Sequence, residues 1–483
     1  KFSIVPRQPA SSAASDRRQL IGIGATLGVA LTTRCLRGKP QQGTLRAAKA
    51  GMKAAAPTSA LVVGGGPCGL AAALMLAQRG FDVVVLERAE DPQAFDPGRG
   101  FMYLIDGRGQ RCLSALNPAL IDQLKASSVS MMETVIGVTS PEGVKERDVP
   151  MKDPKRQSYW IARHIFIGLL LAEARKNPKI RILAGVQLDT LSCKPGNVVA
   201  QGSANGEAFD LTAALLVGAD GLKSTVRTQM EEWSGGKGSF VTKSFDSPAA
   251  GLRYKVLSLP SNFALDFPAG REEFRSERMY AVAGAANSGT KLRLGLLPIR
   301  GEMNFRTANV ITNPEDAFWD EVTDTESLRA YAKAQWPHFP IDELASEEEL
   351  ARFAADRGGR FPKPQYSPSA AWVPPSGGGE DPSAGAVLLG DALHAFPPDL
   401  GQGVNSALED VMVLRDALAS EGDYVPASVR LFEQKRMPDV EALIKMMVVA
   451  APYQYGQSKK GSQLWAAGFL SRFLLHKILP RVF

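Results

Sequence analysis

The stretch Ala60-Leu61-Val62-Val63-Gly64-Gly65-Gly66-Pro67-Cys68-Gly69 decides how this chain reads. Four apolar residues form a short buried strand, and helical spacing then runs from Pro67 to Gln78 before Gly80 ends it. Phe81 to Leu86 supply a second apolar strand, so the segment opens a βαβ unit. Between the first strand and the helix lies G-x-G-x-x-G. Gly64 permits the tight turn, Gly66 lets backbone approach a pyrophosphate, and Gly69 lets helix pack closely on strand. The helix N-terminus offers free N–H groups and about half a positive charge to a diphosphate. Glu87 ends the second strand 23 residues after Gly64, where a carboxylate accepts ribose hydroxyls and repels a 2′-phosphate. The expected ligand is therefore FAD or NAD rather than NADP.

Two further motifs lie downstream. Leu215-Leu216-Val217-Gly218-Ala219-Asp220-Gly221 reads as a strand and sharp turn, followed by Ser224 and Arg227 at three and six residues beyond Gly221. Ser224 is placed to cap the next helix. Taken alone, this segment is an ordinary strand–turn–helix junction. Val387-Leu388-Leu389-Gly390-Asp391 reads as another strand end, with Pro397-Pro398 and Gly401-Gln402-Gly403-Val404-Asn405 after it. Asp391 is placed to hold ribityl hydroxyls, and the loop around Gly401 and Gly403 opens a helix at Val404 whose N-terminus suits a negatively charged ring edge. Strand-like segments recur at 251–259, 279–283 and 291–297, which predicts an antiparallel sheet inserted into the α/β part. A Pro/Gly/Ser-rich connection covers 374–385, and helical pattern dominates from Val404 onward.

The order and spacing of the three motifs resemble the FAD-dependent aromatic hydroxylases, the single-component monooxygenases of the para-hydroxybenzoate hydroxylase type. Within them the chain is most similar to the kynurenine monooxygenase-like branch: Gly98-Arg99-Gly100 through Arg108-Gly109-Gln110 fits that branch's Gly-Arg to Arg-Gly segment without a gap. The resemblance spans roughly residues 58–450. It implies an α/β fold, a Rossmann-like FAD-binding domain with an inserted antiparallel-sheet substrate domain and a helical C-terminal region. The expected division is a leader at 1–58 and a first FAD-binding part at 59–240, with an excursion into the substrate domain at about 125–155. An antiparallel β domain at 241–373, a second FAD-binding part at 386–430 and a helical region at 431–483 complete it.

The resemblance also implies non-covalent FAD, NAD(P)H as reductant and a small-molecule substrate. Gly64, Gly66, Gly69, Glu87 and Arg88 are assigned to the ADP half of FAD. Arg108 and Arg163 are assigned to the diphosphate or ribityl chain, with Asp220 and Asp391 flanking the ribityl side. Val404 and Asn405, after Gly401 and Gly403, lie by the pyrimidine edge, and Leu188 joins the cofactor set. Pro398 resembles the family's proline beside the flavin where oxygen reacts. His394 is entered with it as a catalytic candidate, the alternative being a backbone-bonded loop histidine. The branch's kynurenine-binding residues are missing: Met131-Met132-Glu133-Thr134 stands where the branch has Arg-x-Arg-Met. The expected tyrosine falls near Pro150-Met151 and the expected asparagine near Ala450. The substrate is therefore expected not to be kynurenine. Met131, Met132 and Phe267 are candidate lining for an apolar pocket that suits an aromatic or an isoprenoid. Hydroxylation is the leading reading. The alternatives are a plastid isoprenoid epoxidase or reductase and a non-catalytic FAD-binding subunit of a membrane complex.

Composition narrows the remaining classes. Of 483 residues 45% are hydrophobic and 22% charged, an ordinary globular balance. The four cysteines and four histidines have no paired spacing, so neither a disulfide framework nor a metal site is expected. Residues 1–58 carry ten Lys/Arg and one acid, leaving 46 basic against 49 acidic residues in the body. The alkaline balance thus belongs to the leader, and a nucleic-acid-binding field is set aside. That leader is rich in Arg, Ala and Ser, the composition of a transit peptide. Arg17-Arg18 before the uncharged run Leu20–Thr33 also resembles a twin-arginine signal. The expected compartment is a plastid (chloroplast), stromal or thylakoid-associated, with a mitochondrion as alternative. The tail from Gly456 to Phe483 has five Lys/Arg and no acid around an apolar segment, Leu464–Leu479. It reads either as a helix packed on the flavin domain or as one lying on an anionic membrane surface.

Overall fold

Residues 60–63 are apolar because the strand they form with Ser59 is covered on both faces, the usual situation inside a parallel sheet. In the computed structural model, which describes residues 59–478 except 98–99, 149–153, 285–291, 301–304, 377–381, 450–452, 454 and 456, this strand is central. The sheet runs Ala371–Trp372, Gly385–Leu388, Leu215–Gly218, Ser59–Val63, Asp82–Leu86, Ile180–Leu183. All neighbours are parallel except Ala371–Trp372, which pairs antiparallel with Gly385–Leu388. The chain thus re-enters this sheet before residue 373, ahead of the Pro/Gly/Ser-rich connection at which the composition changes. The expectations for the leader, Gly98-Arg99, Pro150-Met151 and Ala450 fall outside the described residues.

The first helix, Pro67–Gln78, is apolar nearly all round and buries every residue from Cys68 to Ala77. Proline at its first position costs no hydrogen bond there, since that N–H has no helical partner. Helices Arg163–Arg175, Gly403–Ser420 and Val425–Val449 contribute to the same core.

A seven-stranded sheet forms the second layer, in the order Gly359–Arg360, Arg253–Pro260, Phe305–Thr312, Leu294–Leu296, Met279–Val282, Val135–Ser140, Gly143–Asp148. It is antiparallel apart from the parallel contact of Met279–Val282 with Val135–Ser140. Helices Thr325–Gln335 and Glu347–Ala355 contribute to an aromatic-rich core with Phe274, Phe318, Trp336 and Phe353. Phe267 lies in this core, stacked on Phe274 at 6.5 Å. That corrects its expected place in a substrate pocket: the Phe263–Phe267 hairpin strand packs its rings inward.

Two cations are buried in this domain. Arg306 donates to the carbonyls of Arg275 and Arg278 in one turn and of Leu297 in another, and so ties two loops together. Lys255 donates to the Ala354 carbonyl and faces the rings of Phe318, Trp319 and Phe353 at 5.4–5.9 Å. Burial lowers its ammonium from 10.5 to about 8, with Asp356 resisting and Arg253 and Arg352 adding to the fall. Between those two values the unfolded chain holds a proton that the folded chain has released. Stability therefore rises with pH across that window. Chemical denaturation at pH 7.5 and 10 is expected to show the wild type gaining stability relative to Lys255→Met as pH rises, over the loss that the buried thiols of Cys68, Cys112 and Cys193 impose on both proteins above pH 9.

Candidate functional site

The glycine-rich loop has little steric slack. Gly64 sits at φ +108, and a Cβ there would stand 2.3 Å from the Ala219 carbonyl oxygen, on the loop of the second motif. A Cβ at Gly69 would stand 1.9 Å from the Gly64 carbonyl oxygen. Gly66 is different: nothing lies within 4 Å of its Cβ position, and the helix it opens has no side-chain cap. The loop therefore presents open space in front of uncapped N–H groups, a shape that fits a diphosphate. Glu87 accepts hydrogen bonds from the N–H of Gly65 at 2.5 Å and of Ala89 at 2.8 Å, bracing the loop from the next strand. Arg88 beside it is exposed.

The second motif is held by its own carboxylate. Asp220 accepts from the Ser224 hydroxyl at 2.5 Å and from the N–H groups of Thr225 and Val226 at 2.6 and 3.1 Å. Ser224 in turn accepts from the Arg227 N–H, capping helix Thr225–Trp233. Burial raises the Asp220 carboxyl above its usual value, against these hydrogen bonds. Arg227 donates to the Ala392 carbonyl at 2.7 Å, joining the second motif to the third. Asp391 is exposed, yet enough protein surrounds its carboxyl for desolvation to raise it, against the pull of His394 and Arg163. That combination places it on the wall of a recess rather than on the outer surface.

Behind the third motif lies a buried polar network. Asp410, with no exposed surface, accepts from the Gly390 N–H at 2.7 Å, from His394 Nε2 at 2.9 Å and from Arg436 Nε at 2.6 Å. Burial would raise its carboxyl, but His394 and Arg436 outweigh that and hold it below the ordinary value of 3.8. Arg436 also donates to Ser406 and Glu409, and Glu409 accepts from Arg108. Arg108 is further held by Asp106 and Gln402. His394 is 2% exposed, which corrects its catalytic assignment: it positions the Gly390-Asp391 loop from within and does not open onto a reacting atom. Asn405 is likewise enclosed. Its Oδ1 accepts from the Asp106 N–H and its Nδ2 donates to the carbonyls of Leu104 and Gly401. The open positions at this end are Val404, half-buried, and Gly403, with nothing within 4 Å of its Cβ position. Gly401 adopts a left-handed φ of +60, and Pro398 is exposed at the start of the preceding turn. Asp410 and Arg436 are functional residues that sequence reasoning missed. The available signal was a charge at a core-facing position, since Ala407, Leu408, Val411 and Leu414 around Asp410 are all buried.

A narrow cleft lies between the two layers. Phe95, Phe101, Met102, Ala162, Arg163 and His164 line it from one side, and Ile299 and Thr307 from the other. Arg163 and His164 begin helix Arg163–Arg175. Burial, with help from Arg163, lowers the His164 imidazole below its usual value, so it is neutral at pH 7. Its ring meets Phe95 edge-on at 5.3 Å. Leu188 lines a separate cleft with Asp189, Thr190, Leu191, Thr225 and Gln229, next to the helix that Ser224 caps. Met131 and Met132 form a half-buried turn whose neighbour Glu133 accepts from Arg300 at 2.7 Å. Among the described residues no His, Cys, Asp and Glu cluster could hold a metal ion.

A family model described as an FAD binding domain matches residues 57–250 and 382–446, the segments that build the parallel sheet and the three motifs. The chain belongs to this family. It is an oxidoreductase of the flavin-dependent aromatic-hydroxylase type, with FAD as its cofactor. Kynurenine 3-monooxygenase of Salinispora arenicola is 29% identical over 438 residues, covering 87% of this chain and 85% of that protein. The Stenotrophomonas maltophilia enzyme of that name is 25% identical over 409 residues, covering 82% and 79%. Among solved structures, 2-methyl-3-hydroxypyridine-5-carboxylic acid oxygenase superposes with a TM-score of 0.58 at 20% identity over 83% of this chain and 93% of that one. PqsL, a probable FAD-dependent monooxygenase from Pseudomonas aeruginosa, gives 0.53 at 19% identity over 82% and 96%. These two likenesses concern the fold.

The family's flavin fits the residues present. Gly66 and the uncapped helix start suit its diphosphate, and the recess wall at Asp391 suits a hydroxyl-bearing chain. The uncapped N-terminus at Gly403–Val404 suits an electron-rich ring edge. Gly66→Val is therefore expected to fold but to purify without flavin colour, whereas Gly69→Val is expected to fail to fold. Circular dichroism and the flavin absorbance separate the two. Asp410→Asn, which removes the buried anion between His394 and Arg436 and leaves Arg436 only Glu409 and the more distant Asp439 as counter-charges, is expected to cost about 3 kcal/mol in denaturant titrations, part of it recovered in Asp410→Asn/Arg436→Met. The stability that Asp410 supplies is complete above pH 3.8 and is lost as pH falls through its lower folded-state value.

Proposed function

We propose that the protein uses NAD(P)H and O₂ to place one oxygen atom on a small apolar or aromatic metabolite other than kynurenine. The observation that carries this reading is the cleft between the flavin domain and the substrate sheet, with a mostly apolar lining beside Arg163. The turn at Met131–Thr134 carries no arginine where the kynurenine branch places two, and its one charged group, Glu133, is engaged by Arg300.

Bound FAD supplies the redox chemistry, accepting a hydride from NAD(P)H and delivering its electrons to O₂. One oxygen atom enters the substrate and the other leaves as water, with NAD(P)H and one proton consumed. The chain's part is to hold and to exclude. Gly66 and the Pro67 helix start receive the diphosphate, Asp391 faces the recess, and the Gly403 helix start favours negative charge at one ring edge. Phe95, Phe101, Met102 and Ala162 keep water from the reacting end of the cleft.

The Lys459–Ile478 helix leaves Leu464, Phe469, Leu470 and Leu475 exposed beside Lys459, Lys460 and Arg472. This supports a tail that lies on an anionic membrane surface. No helix among the described residues is long and apolar enough to cross a membrane. The leader composition supports residence in a plastid, on the stromal side where NADPH is made.

Anaerobic addition of NADPH or NADH to the purified flavoprotein is expected to bleach the flavin bands, and turnover under ¹⁸O₂ to leave one labelled atom in the product. A flavin that neither nucleotide reduces would overturn this reading.

A further inference from the structure

The glycine-rich loop is flanked by the starts of two elements. A Cβ on Gly64 would stand 2.3 Å from the Ala219 carbonyl oxygen on one side, and a Cβ on Gly65 would stand 2.9 Å from Glu87 Cβ on the other. Beside Glu87, the N–H of Gly185 donates to the Ala89 carbonyl and that of Val186 to the Glu87 carbonyl, so strand Val186–Cys193 sets out from this side. Beyond Ala219, the Asp220 carboxylate holds the first N–H groups of helix Thr225–Trp233. An open groove of about 270 Å³ runs between that strand and that helix, lined by Leu188, Asp189, Thr190, Leu191, Thr225 and Gln229. A water needs only about 10–15 Å³, so the groove has room for a fused heterocycle.

The strand wall is irregular where it meets the groove. Val186–Cys193 is an outer strand of an antiparallel sheet with Val198–Ala204 and Glu207–Ala213. Thr190 pairs with Gln201 and Leu188 with Gly202, so Asp189 is an extra residue, a bulge set in the groove wall. Gly202 lets the strands stay close there, since a Cβ on it would stand 2.2 Å from the Gln187 carbonyl oxygen. A bulge also blunts an outer strand against pairing, but that purpose asks for no carboxylate facing a groove. On the helix wall, Gln229 Nε2 donates to Glu232 at 2.9 Å, which leaves Oε1 as the unused acceptor of that amide. The groove therefore carries a hydrogen-bond acceptor on each wall, with the Thr225 hydroxyl one turn from Gln229.

We propose that this groove holds the adenine of FAD and reads its exocyclic amine, with Asp189 and Gln229 as acceptors and Glu232 as the residue that orients Gln229. The assignment concerns the cofactor and does not rest on the oxygenase reading above. With the diphosphate at Gly66 and the ribose at Glu87, the base falls on the side of the loop from which strand Val186–Cys193 begins. An adenine amine offers two N–H donors, which two facing acceptors suit. A hypoxanthine, with a carbonyl in that place, would meet both acceptors with another acceptor.

The test measures flavin binding to the flavin-free full chain through quenching of flavin fluorescence, and needs no turnover. The probes are FAD, FMN and flavin hypoxanthine dinucleotide, in which a carbonyl replaces the amine. The wild type is expected to bind FAD at least about tenfold more tightly than the hypoxanthine analogue. Gln229→Leu and Asp189→Ala are each expected to cut that preference to about threefold or less by weakening FAD binding, and to leave FMN, which has no adenine, unchanged. Glu232→Ala, which frees the amide to turn over, is expected to lower the preference in the wild-type background and to change nothing further in Gln229→Leu. Asp189 and Glu232 are exposed and Gln229 is half-buried, so the melting temperatures of the flavin-free variants are expected to match the wild type. Equal wild-type affinity for the two dinucleotides, FMN bound as tightly as FAD, or wild-type ratios in both Gln229→Leu and Asp189→Ala would overturn the proposal. Failure of NAD(P)H to reduce the bound flavin would instead overturn the oxygenase reading and leave these ratios untouched.

Discussion

The buried carboxylate of Asp410 is the contact on which the cofactor side of this molecule depends. A single fully enclosed anion receives the backbone N–H of Gly390, the imidazole of His394 and the guanidinium of Arg436. These partners come from the loop after strand Gly385–Leu388 and from helix Val425–Val449, while Asp410 itself sits on helix Gly403–Ser420. Three segments that never meet in sequence are thereby fixed around one charge. A buried anion is tolerable only when each lone pair is met, so the loop, the histidine and the arginine have little freedom to move independently.

The consequences spread along helix Gly403–Ser420. Ser406, one turn before Asp410, and Glu409, immediately before it, take further donors of Arg436, and Glu409 carries the chain of contacts on to Arg108. At the helix start, Asn405 reaches the Leu104 carbonyl and so binds the strand that forms one wall of the cleft. The first half of the helix thus holds both the Gly390-Asp391 loop and the cleft wall. Cys68, in the glycine-rich loop, packs against the same helix through the Ala407 carbonyl at 3.5 Å. The glycine-rich loop and the cleft wall are set at a fixed separation by this shared element.

The opposing sheet follows a different rule. Its helix-facing side is sealed by aromatic rings, with Lys255 and Arg306 enclosed among rings and carbonyls. Its flavin-facing side mixes small apolar residues with Thr307 and Asn309. Thr307 and Asn309 thus sit on the face turned away from the aromatic core. The apolar cleft that the sequence suggests is therefore only part of the surface: Phe267 belongs to the sealed face, and the polar atoms of the open face were not anticipated.

Local chemistry decided what could be read from the sequence alone. The G-x-G-x-x-G loop, the Asp-Gly turn and the Gly-Asp strand end each require particular residues at fixed short spacings. A positive φ at Gly64 and the contact of Gly69 with the Gly64 carbonyl leave no alternative at those positions. The flavin-binding family and the α/β class follow from them. The partners of Asp410, the enclosure of His394 and Asn405, and the open face of strand Phe305–Thr312 were decided by tertiary structure. Each depends on residues tens to hundreds of positions apart, and a histidine or asparagine looks the same in sequence whether it faces a ligand or a buried carboxylate. Spacing along the chain specifies what backbone geometry demands locally. Which polar atoms are paired inside the protein, and which are left for a ligand, is determined only when the layers close on one another.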